Sequence, residues 1–276
     1  MRFIKSVSSL HDQLKVENVR IVDCRFALTD PTHGKSAYYE NHIPGAVFFD
    51  LEKDLSSHVS KHGGRHPLPS VSIFIKKLGE AGITQETTVV AYDDGEGAFA
   101  GRFWWLLSYL GHKDVYVLDG GYKAWKEADY EVTDTIPTYD YSEFVPFIKD
   151  EMLASYEHVK KGEGLLVDSR ARERYLGLIE PLDARAGHIP GAINIEWTDG
   201  FENGLWKDLE AQKERFSNLD KTEEIIVYCG SGVTATPNIL ALKASGFKNV
   251  KLYAGSYSDW VSYDENPVET GENPKI

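Results

Sequence analysis

The chain has few cysteines, no excess of positive charge and no long apolar run. Its two cysteines, in 276 residues, are too few for a disulfide framework, which favours a reducing compartment. The formal net charge of −13 argues against nucleic acid or an anionic membrane surface as a partner. The longest apolar stretch, residues 103–110, is far too short to cross a bilayer, and the first residues lack the apolar core of a signal peptide. We therefore expect a cytoplasmic protein, long enough for two domains.

Several motifs occur twice in the chain, in the same order. The clearest pairs are Val-Asp-x-Arg at 22–25 and 167–170, and His-Ile-Pro-Gly-Ala at 42–46 and 188–192. An apolar run ends at Asp93 in the first copy and at Cys229 in the second. The repeat predicts two homologous domains, residues 1–132 and 148–276. Residues 133–147 form the predicted linker, and because they are aromatic rather than rich in Gly and Ser, we expect them to pack against the protein.

Strand and helix signals alternate in both copies. Strands are predicted at 20–24, 46–49, 87–93 and 115–118, and again at 165–168, 192–196, 224–229 and 250–253. Helices are predicted to begin near Ser70, Phe99 and Gly121, and near Lys207, Thr234 and Ser256. Such alternation predicts an α/β fold with mostly parallel sheets covered by helices on both faces.

Cys229 is the candidate nucleophile. It ends a predicted strand and opens the loop Cys-Gly-Ser-Gly-Val-Thr-Ala at 229–235. The glycines and the start of a helix direct backbone N–H groups towards the sulfur, which favours the thiolate. The alternative is a buried, inert cysteine. Asp93 occupies the matching position in the first copy, where a carboxylate cannot carry sulfur and would repel an anion, so the first domain is predicted to be inactive.

Taken together, these motifs resemble the rhodanese superfamily, specifically its tandem-domain thiosulfate and mercaptopyruvate sulfurtransferases. The resemblance covers essentially the whole chain and implies two tandem rhodanese-like domains, each a parallel five-stranded sheet flanked by helices. It also implies that Cys229 takes sulfur from a small donor as a persulfide and passes it to a thiol, cyanide or thioredoxin, with no metal or organic cofactor. Backbone amides of the loop would bind the substrate sulfur; these residues are Gly230, Gly232, Val233 and Thr234.

The loop sequence also indicates a donor. Sulfurtransferases that favour thiosulfate resemble Cys-Arg-Lys-Gly-Val-Thr, whereas this chain has Gly230 and Ser231, as in mercaptopyruvate sulfurtransferases. We expect 3-mercaptopyruvate; the alternatives are thiosulfate with cyanide, or a non-enzymatic persulfide carrier or redox partner module. Arg174 matches the family's donor-binding arginine, although an exposed surface arginine is the alternative reading. Leu182 stands where a second arginine is expected, and Arg185 is predicted to replace it.

A histidine and a serine complete the predicted catalytic set. His66 resembles the first-domain histidine that reaches the donor site, where it would polarise Ser231 in a proton relay with an acid such as Glu52. An exposed loop histidine is the alternative. Polar residues that both copies share are assigned to structure instead; they are Asp23, Arg25, His42, Asp168, Arg170 and His188.

Three other sites are rejected. Residues 95–101 have the glycines of a dinucleotide loop, but the acidic residues among and before them would repel a pyrophosphate. Related phosphatases carry Cys-(x)5-Arg, and Ala235 stands where that arginine would be. The histidines within 58–66 have helical spacing for a metal, but glycines and Pro67 break such a helix.

Overall fold

The computed structural model of the protein describes residues 1–14 and 18–272, and these form two compact units. Unit 1 contains residues 1–57, 68–149 and 203–206, and unit 2 contains residues 58–67, 150–202 and those from 207 onward. Each unit therefore includes a short segment from the other half of the sequence. The predicted sequence domains, 1–132 and 148–276, stay a prediction, and a few of their residues, 15–17 and 273–276, lie outside the described part of the chain.

Unit 1 contains a five-stranded parallel sheet in the order β1-β5-β4-β2-β3. Its strands are β1 (Ile4–Lys5), β2 (Val19–Asp23), β3 (Ala46–Phe48), β4 (Thr88–Tyr92) and β5 (Val115–Leu118). Its helices are α1 (Val7–Gln13), α2 (His33–Glu40), α3 (Val71–Glu80), α4 (Ala98–Tyr109) and α5 (Gly121–Glu127). The central strand β4 is a β-branched, apolar run that is buried from its second residue onward, as expected for a sheet covered on both faces. Helix α4 is buried over most of its length, and Trp104 and Trp105 on it are core residues.

Unit 2 repeats this plan, with the strand order β6-β12-β11-β7-β8. The sheet consists of β6 (Leu153–Ala154), β7 (Leu165–Asp168), β8 (Ile193–Asn194), β11 (Ile225–Tyr228) and β12 (Val250–Tyr253). The helices are α6 (Tyr156–Lys160), α7 (Arg172–Tyr175), α8 (Leu209–Arg215), α9 (Ala235–Ala244) and α10 (Ser256–Trp260). Two further short strands along the chain are β9 (Phe201–Glu202) and β10 (Leu205–Trp206). In the described part of the chain, no helix is both long and apolar enough to cross a membrane.

The predicted fold class is confirmed by these two five-stranded parallel sheets. All eight strands predicted from the pattern are present, although the run predicted at 192–196 contributes only Ile193–Asn194. The six predicted helices begin within two residues of the expected positions. Strands β1 and β6 were not predicted, because each has only two residues and pairs with one neighbour at the edge of its sheet.

The aromatic segment at 133–147 packs along unit 1 without forming a helix or a regular strand. The Tyr139 hydroxyl donates to the carbonyl of Gly45 at 2.8 Å. The N–H of Phe147 donates to the carbonyl of Leu110 at 2.9 Å. Hydrogen bonds to two different parts of unit 1 hold this segment in place, as the composition indicated.

Candidate active site

Cys229 follows directly after β11, where the central strand of unit 2 ends, and only 1% of its surface is exposed. The chain then turns through 230–234 into α9. The N–H of Gly232 donates to Sγ of Cys229 at 3.1 Å. Gly232 has φ +76°, and a Cβ there would lie 2.3 Å from the carbonyl oxygen of Ala254. Only glycine permits this turn, which directs an amide at the sulfur.

The backbone of the cysteine loop is fixed on the first turn of α10. The N–H of Tyr257 donates to the carbonyl of Cys229, and that of Ser258 donates to the carbonyl of Gly230, both at 3.0 Å. The N–H of Cys229 donates to Oγ of Ser256 at 3.2 Å. These bonds fix the backbone of the loop, and the N–H of Gly232 faces the sulfur, so the loop is preorganised to hold an anion there.

The structure brings the predicted Ser231 and His66 together within unit 2. Oγ of Ser231 lies 2.8 Å from Nδ1 of His66, and the two residues are only 9% and 8% exposed. His66 is carried by residues 58–67, which are held against α10 because the N–H of Gly63 donates to Asp259 at 2.7 Å. Glu52, named above as a candidate acid for the relay, is an exposed residue of unit 1.

Arg174, at the end of α7, also reaches the cysteine loop. Its guanidinium nitrogens Nη1 and Nη2 lie 3.5 and 3.6 Å from the position that a Cβ would take at Gly230. Nη2 donates to Glu180 at 2.8 Å and to Asp183 at 3.0 Å. Burial opposes ionisation of Glu180, but hydrogen bonds from Arg174 and from the N–H groups of two following residues outweigh it and lower its pKa. The predicted donor-binding arginine is therefore placed beside the nucleophile by two carboxylates.

Arg65 is a functional candidate that sequence reasoning missed. Its Nη2 lies 2.8 Å from the Cβ position at Gly230, and its Nη1 pairs with Asp183. The N–H of Arg65 donates to Oγ of Ser258 at 3.1 Å, which fixes the backbone at this point. A signal was available: once His66 is placed on Ser231, the residue before it must lie close to the loop.

Arg185, predicted to replace the second family arginine, is engaged elsewhere in unit 2. Its guanidinium donates to the carbonyl oxygens of Asn266 at 2.7 Å and Tyr263 at 3.0 Å. Its role in donor binding stays a prediction. Thr234 directly precedes α9, but its side chain makes no capping hydrogen bond to that helix.

The polar residues shared by both copies make matching structural contacts. Arg170 pairs with Asp168 at 2.6 Å in unit 2, and Arg25 pairs with Asp23 at 2.7 Å in unit 1. Each histidine of the His-Ile-Pro-Gly motif has Nδ1 within 2.7 Å of a carbonyl oxygen in the preceding helix. Contacts of this kind tie strand ends to loops in both units, whether or not a cysteine follows.

In unit 1, the carboxylate of Asp93 occupies the loop that matches the cysteine loop. It accepts four backbone N–H groups, at 2.8 to 3.2 Å; the donors are Gly95, Gly97, Phe99 and Ala100. Burial raises the pKa of Asp93, while the bonds from these amides act in the opposite direction. The amides of this loop are already satisfied by the protein itself. Cys24, the other free cysteine, is fully buried, and burial together with nearby carboxylates raises the pKa of its thiol well above the usual value.

Comparison with known proteins agrees with this geometry. A profile of the rhodanese-like domain matches residues 6–128 and 153–263. The chain is 44% identical over 277 residues to the probable 3-mercaptopyruvate sulfurtransferase of Pseudomonas aeruginosa, covering 97% of this chain and 98% of that protein. It is 37% identical over 262 residues to a putative thiosulfate sulfurtransferase of Mycobacterium tuberculosis, covering 92% and 91%. The solved 3-mercaptopyruvate sulfurtransferase of Leishmania major superposes with a TM-score of 0.83 at 29% identity, covering 93% of this chain and 73% of that one.

Proposed function

The chain belongs to the rhodanese family as a sulfurtransferase with two rhodanese-like domains, and from this premise we propose that it moves sulfur from 3-mercaptopyruvate to a thiophilic acceptor through a persulfide on Cys229. The proposal rests on the groups that surround the sulfur atom of Cys229. Sγ of Cys229 accepts an amide N–H, and two guanidinium groups lie against the next residue, Gly230. A thiolate nucleophile and a binding place for a carboxylate are thus adjacent.

In the first step, the Cys229 thiolate attacks the sulfur of 3-mercaptopyruvate. The Sγ–S bond forms and the S–C bond of the donor breaks, so that the electron pair of that bond leaves with carbon as the enolate of pyruvate. The enolate then takes up a proton and departs as pyruvate. Covalent capture of the sulfur divides one transfer into two easier displacements.

Ser231 and His66 supply the proton that the enolate needs. Their 2.8 Å contact places a hydroxyl and an imidazole in series, two residues from the nucleophile. In this proposal the histidine polarises the hydroxyl, which donates to the departing carbon and is reprotonated through the ring.

In the second step, an acceptor removes the outer sulfur of the persulfide. A thiolate acceptor becomes a persulfide and cyanide becomes thiocyanate, and in both cases the electron pair of the S–S bond returns to Cys229 as a thiolate. Small thiols, cyanide and thioredoxin all have this chemistry. Because the cycle begins and ends with a free thiol, we place the reaction in the reducing cytoplasm.

The charge around Gly230 supports a donor with one carboxylate. Three guanidinium groups are matched by three carboxylates, so this cluster is neutral before a donor arrives. The groups are Arg65, Arg170 and Arg174, with Asp168, Glu180 and Asp183. A monoanion leaves the cluster with one net negative charge, whereas the thiosulfate dianion leaves it with two. The greater repulsion favours 3-mercaptopyruvate over thiosulfate.

The test compares two reactions of the purified protein. We expect steady-state release of pyruvate from 3-mercaptopyruvate with a thiol acceptor to exceed release of thiocyanate from thiosulfate and cyanide. Cys229→Ser is expected to abolish both, and the matched control Cys24→Ser, which changes the other buried thiol, to retain them. Mass spectrometry of donor-treated protein should find one added sulfur at Cys229. Labelling without turnover would show a persulfide carrier, and a preference for thiosulfate would overturn the donor assignment.

We further propose that the first domain carries no sulfur. Asp93 in place of a cysteine supports this, since its carboxylate accepts the amides that an anionic sulfur would need. Donor-treated Cys229→Ser protein should therefore show no persulfide in residues 1–132.

A further inference from the structure

We infer that Arg65 binds the carboxylate of the donor together with Arg174, beside Gly230, where the Arg65 guanidinium occupies the space of a side chain. A Cβ at Gly230 would lie 2.8 Å from Nη2 of Arg65, closer than carbon and nitrogen normally approach. This assignment rests on the proposed function for the identity of the donor.

In each of the two guanidinium groups, some nitrogens bind carboxylates and one terminal nitrogen is left for a ligand. Arg65 pairs with Asp183 through Nη1, and Arg174 uses Nε and Nη2 for Glu180 and Asp183. Among the described residues, Nη2 of Arg65 and Nη1 of Arg174 have no hydrogen-bond partner. These two groups are also the nearest nitrogen of each arginine to the Cβ position of Gly230. Two open guanidinium N–H groups that meet beside the nucleophile fit the two oxygens of a carboxylate.

Burial explains why the cations face the donor and the anions do not. The side chains of Asp183 and Glu180 are 2% and 3% exposed, whereas those of Arg65 and Arg174 are 31% and 16% exposed. The two carboxylates therefore lie deeper in the protein than the two guanidinium groups, so an incoming anion contacts the guanidinium groups first. Arg65 is further fixed by its own backbone, because its N–H donates to Ser258.

Arg65 also provides, from a distant part of the sequence, a charge that the cysteine loop lacks. Residues 230 and 231 are Gly and Ser, so the loop itself has no cation. Because Arg65 belongs to residues 58–67, it places its charge beside Gly230 without using the loop amides, which can bind the sulfur. The donor carboxylate and the donor sulfur are thereby bound by separate groups.

The first experiment measures kcat and KM for 3-mercaptopyruvate in the full chain. Arg65→Ala is expected to raise KM by roughly 10- to 100-fold, the loss typical of a charge-assisted hydrogen bond, with a smaller effect on kcat. The matched control is Arg172→Ala, which removes an exposed arginine that pairs with Glu272 and should leave both parameters unchanged. With mercaptoacetone, which has a methyl group in place of the carboxylate, Arg65→Ala should have no effect on KM. An unchanged KM for 3-mercaptopyruvate overturns the inference.

A double-mutant cycle separates binding from positioning. If Arg65 binds the donor, Arg65→Ala raises KM in the Arg174→Ala background as well. If it only orients Arg174, the second substitution adds nothing, and the inference is wrong. Gly230→Ala gives an independent reading: its methyl group displaces Nη2 of Arg65, so it should raise KM in the wild-type background and have little further effect in Arg65→Ala.

A binding measurement keeps this inference distinct from the proposed function. Pyruvate titrated into Cys229→Ser by calorimetry should bind at least 10-fold more weakly when Arg65→Ala is added, as expected for loss of one charge-assisted contact. If the wild-type protein releases no pyruvate from 3-mercaptopyruvate, the proposed function fails while this titration still decides the role of Arg65. Absent pyruvate binding, or binding that Arg65→Ala leaves unchanged, overturns the assignment whatever the turnover.

Discussion

Asp93 stabilises its loop through both carboxylate oxygens at once. Oδ1 accepts from Gly95 and Gly97, and Oδ2 accepts from Phe99 and Ala100. A single residue thus satisfies four backbone N–H donors of its own loop. These four hydrogen bonds give Asp93 a structural role in this loop.

Asp93→Asn is expected to destabilise the protein, because the NH₂ group of the amide would face two of the four backbone N–H donors. The neutral amide also avoids the cost of burying a carboxylate charge, which offsets part of this loss. We expect a net decrease of about 1 to 3 kcal/mol in the free energy of unfolding. Urea denaturation followed by circular dichroism measures it. The neighbouring Asp94→Asn, whose side chain is half exposed, serves as control and should change stability little. Equal effects would contradict the role assigned to Asp93.

Glu180 predicts a dependence of stability on acid. Its pKa in the folded protein lies below the usual 4.5, so its contribution is fully present above about pH 4.5 and is lost as the pH falls through the lowered value. Glu180→Gln should therefore be less stable than wild type at pH 7, by about 1 to 3 kcal/mol, with the difference shrinking below pH 4.5. Unfolding curves between pH 3 and 7 test this, and a difference that is constant with pH would show that Glu180 has no lowered pKa.

The positions of Cys229 and Asp93 after the central strands could be predicted from the sequence, but the residues that surround them could not. Cys229 and Asp93 stand at the ends of apolar runs, which makes their position readable. The partners His66 and Ser231 are 165 residues apart, so their contact depends on the tertiary fold. His66 was predicted only through a family resemblance, and Arg65, with no matching motif, was missed.

Among the elements, the cysteine loop depends on one positive φ angle. Gly232→Ala places a methyl group in the left-handed region and 2.3 Å from a backbone oxygen, so the loop must shift. We expect a loss of roughly 100-fold in kcat/KM, the typical cost of misplacing reacting groups by about an ångström. Gly191 has nearly the same φ, +78°, but open space around its Cβ. Gly191→Ala should cost only the backbone strain, about 1 to 2 kcal/mol of stability, and should retain activity. Similar activity losses in both variants would contradict the importance of the clash.

Continuous apolar elements could be predicted from the sequence, whereas a short polar helix could not. Strand β11 is a run of four buried apolar residues next to glycines, which gives it an unambiguous pattern. Helix α7 has four residues, three of them charged, and it owes its place to tertiary contacts such as the burial of Tyr175. Periodicity needs several turns or several alternations before it identifies an element.

At the scale of the whole molecule, the duplication was visible in the sequence, whereas the exchange of segments was not. Residues 58–67 have little periodicity and two adjacent glycines, so nothing in them indicates that they belong to unit 2. Both ends of this segment continue into unit 1. His66 and Arg65 therefore lie on a segment of unit 2 whose preceding and following residues belong to unit 1.

Weakening the core of unit 1 should therefore impair catalysis. Leu107→Ala, at a fully buried position of α4, is expected to cost about 2 to 5 kcal/mol by leaving a cavity. The temperature at which sulfur transfer is lost should fall together with the unfolding temperature of unit 1, although no residue of unit 2 is altered. Activity assays and near-ultraviolet circular dichroism over the same temperature range test this. Activity that persists after unit 1 has unfolded would contradict the dependence.

The placement of residues 58–67 has a consequence for how such a duplicated gene can evolve. A C-terminal half transferred alone to another protein would lack residues 58–67, ten residues of unit 2 that lie within the first half of the sequence. Recombination at the boundary between the repeats would separate Cys229 from Arg65 and His66.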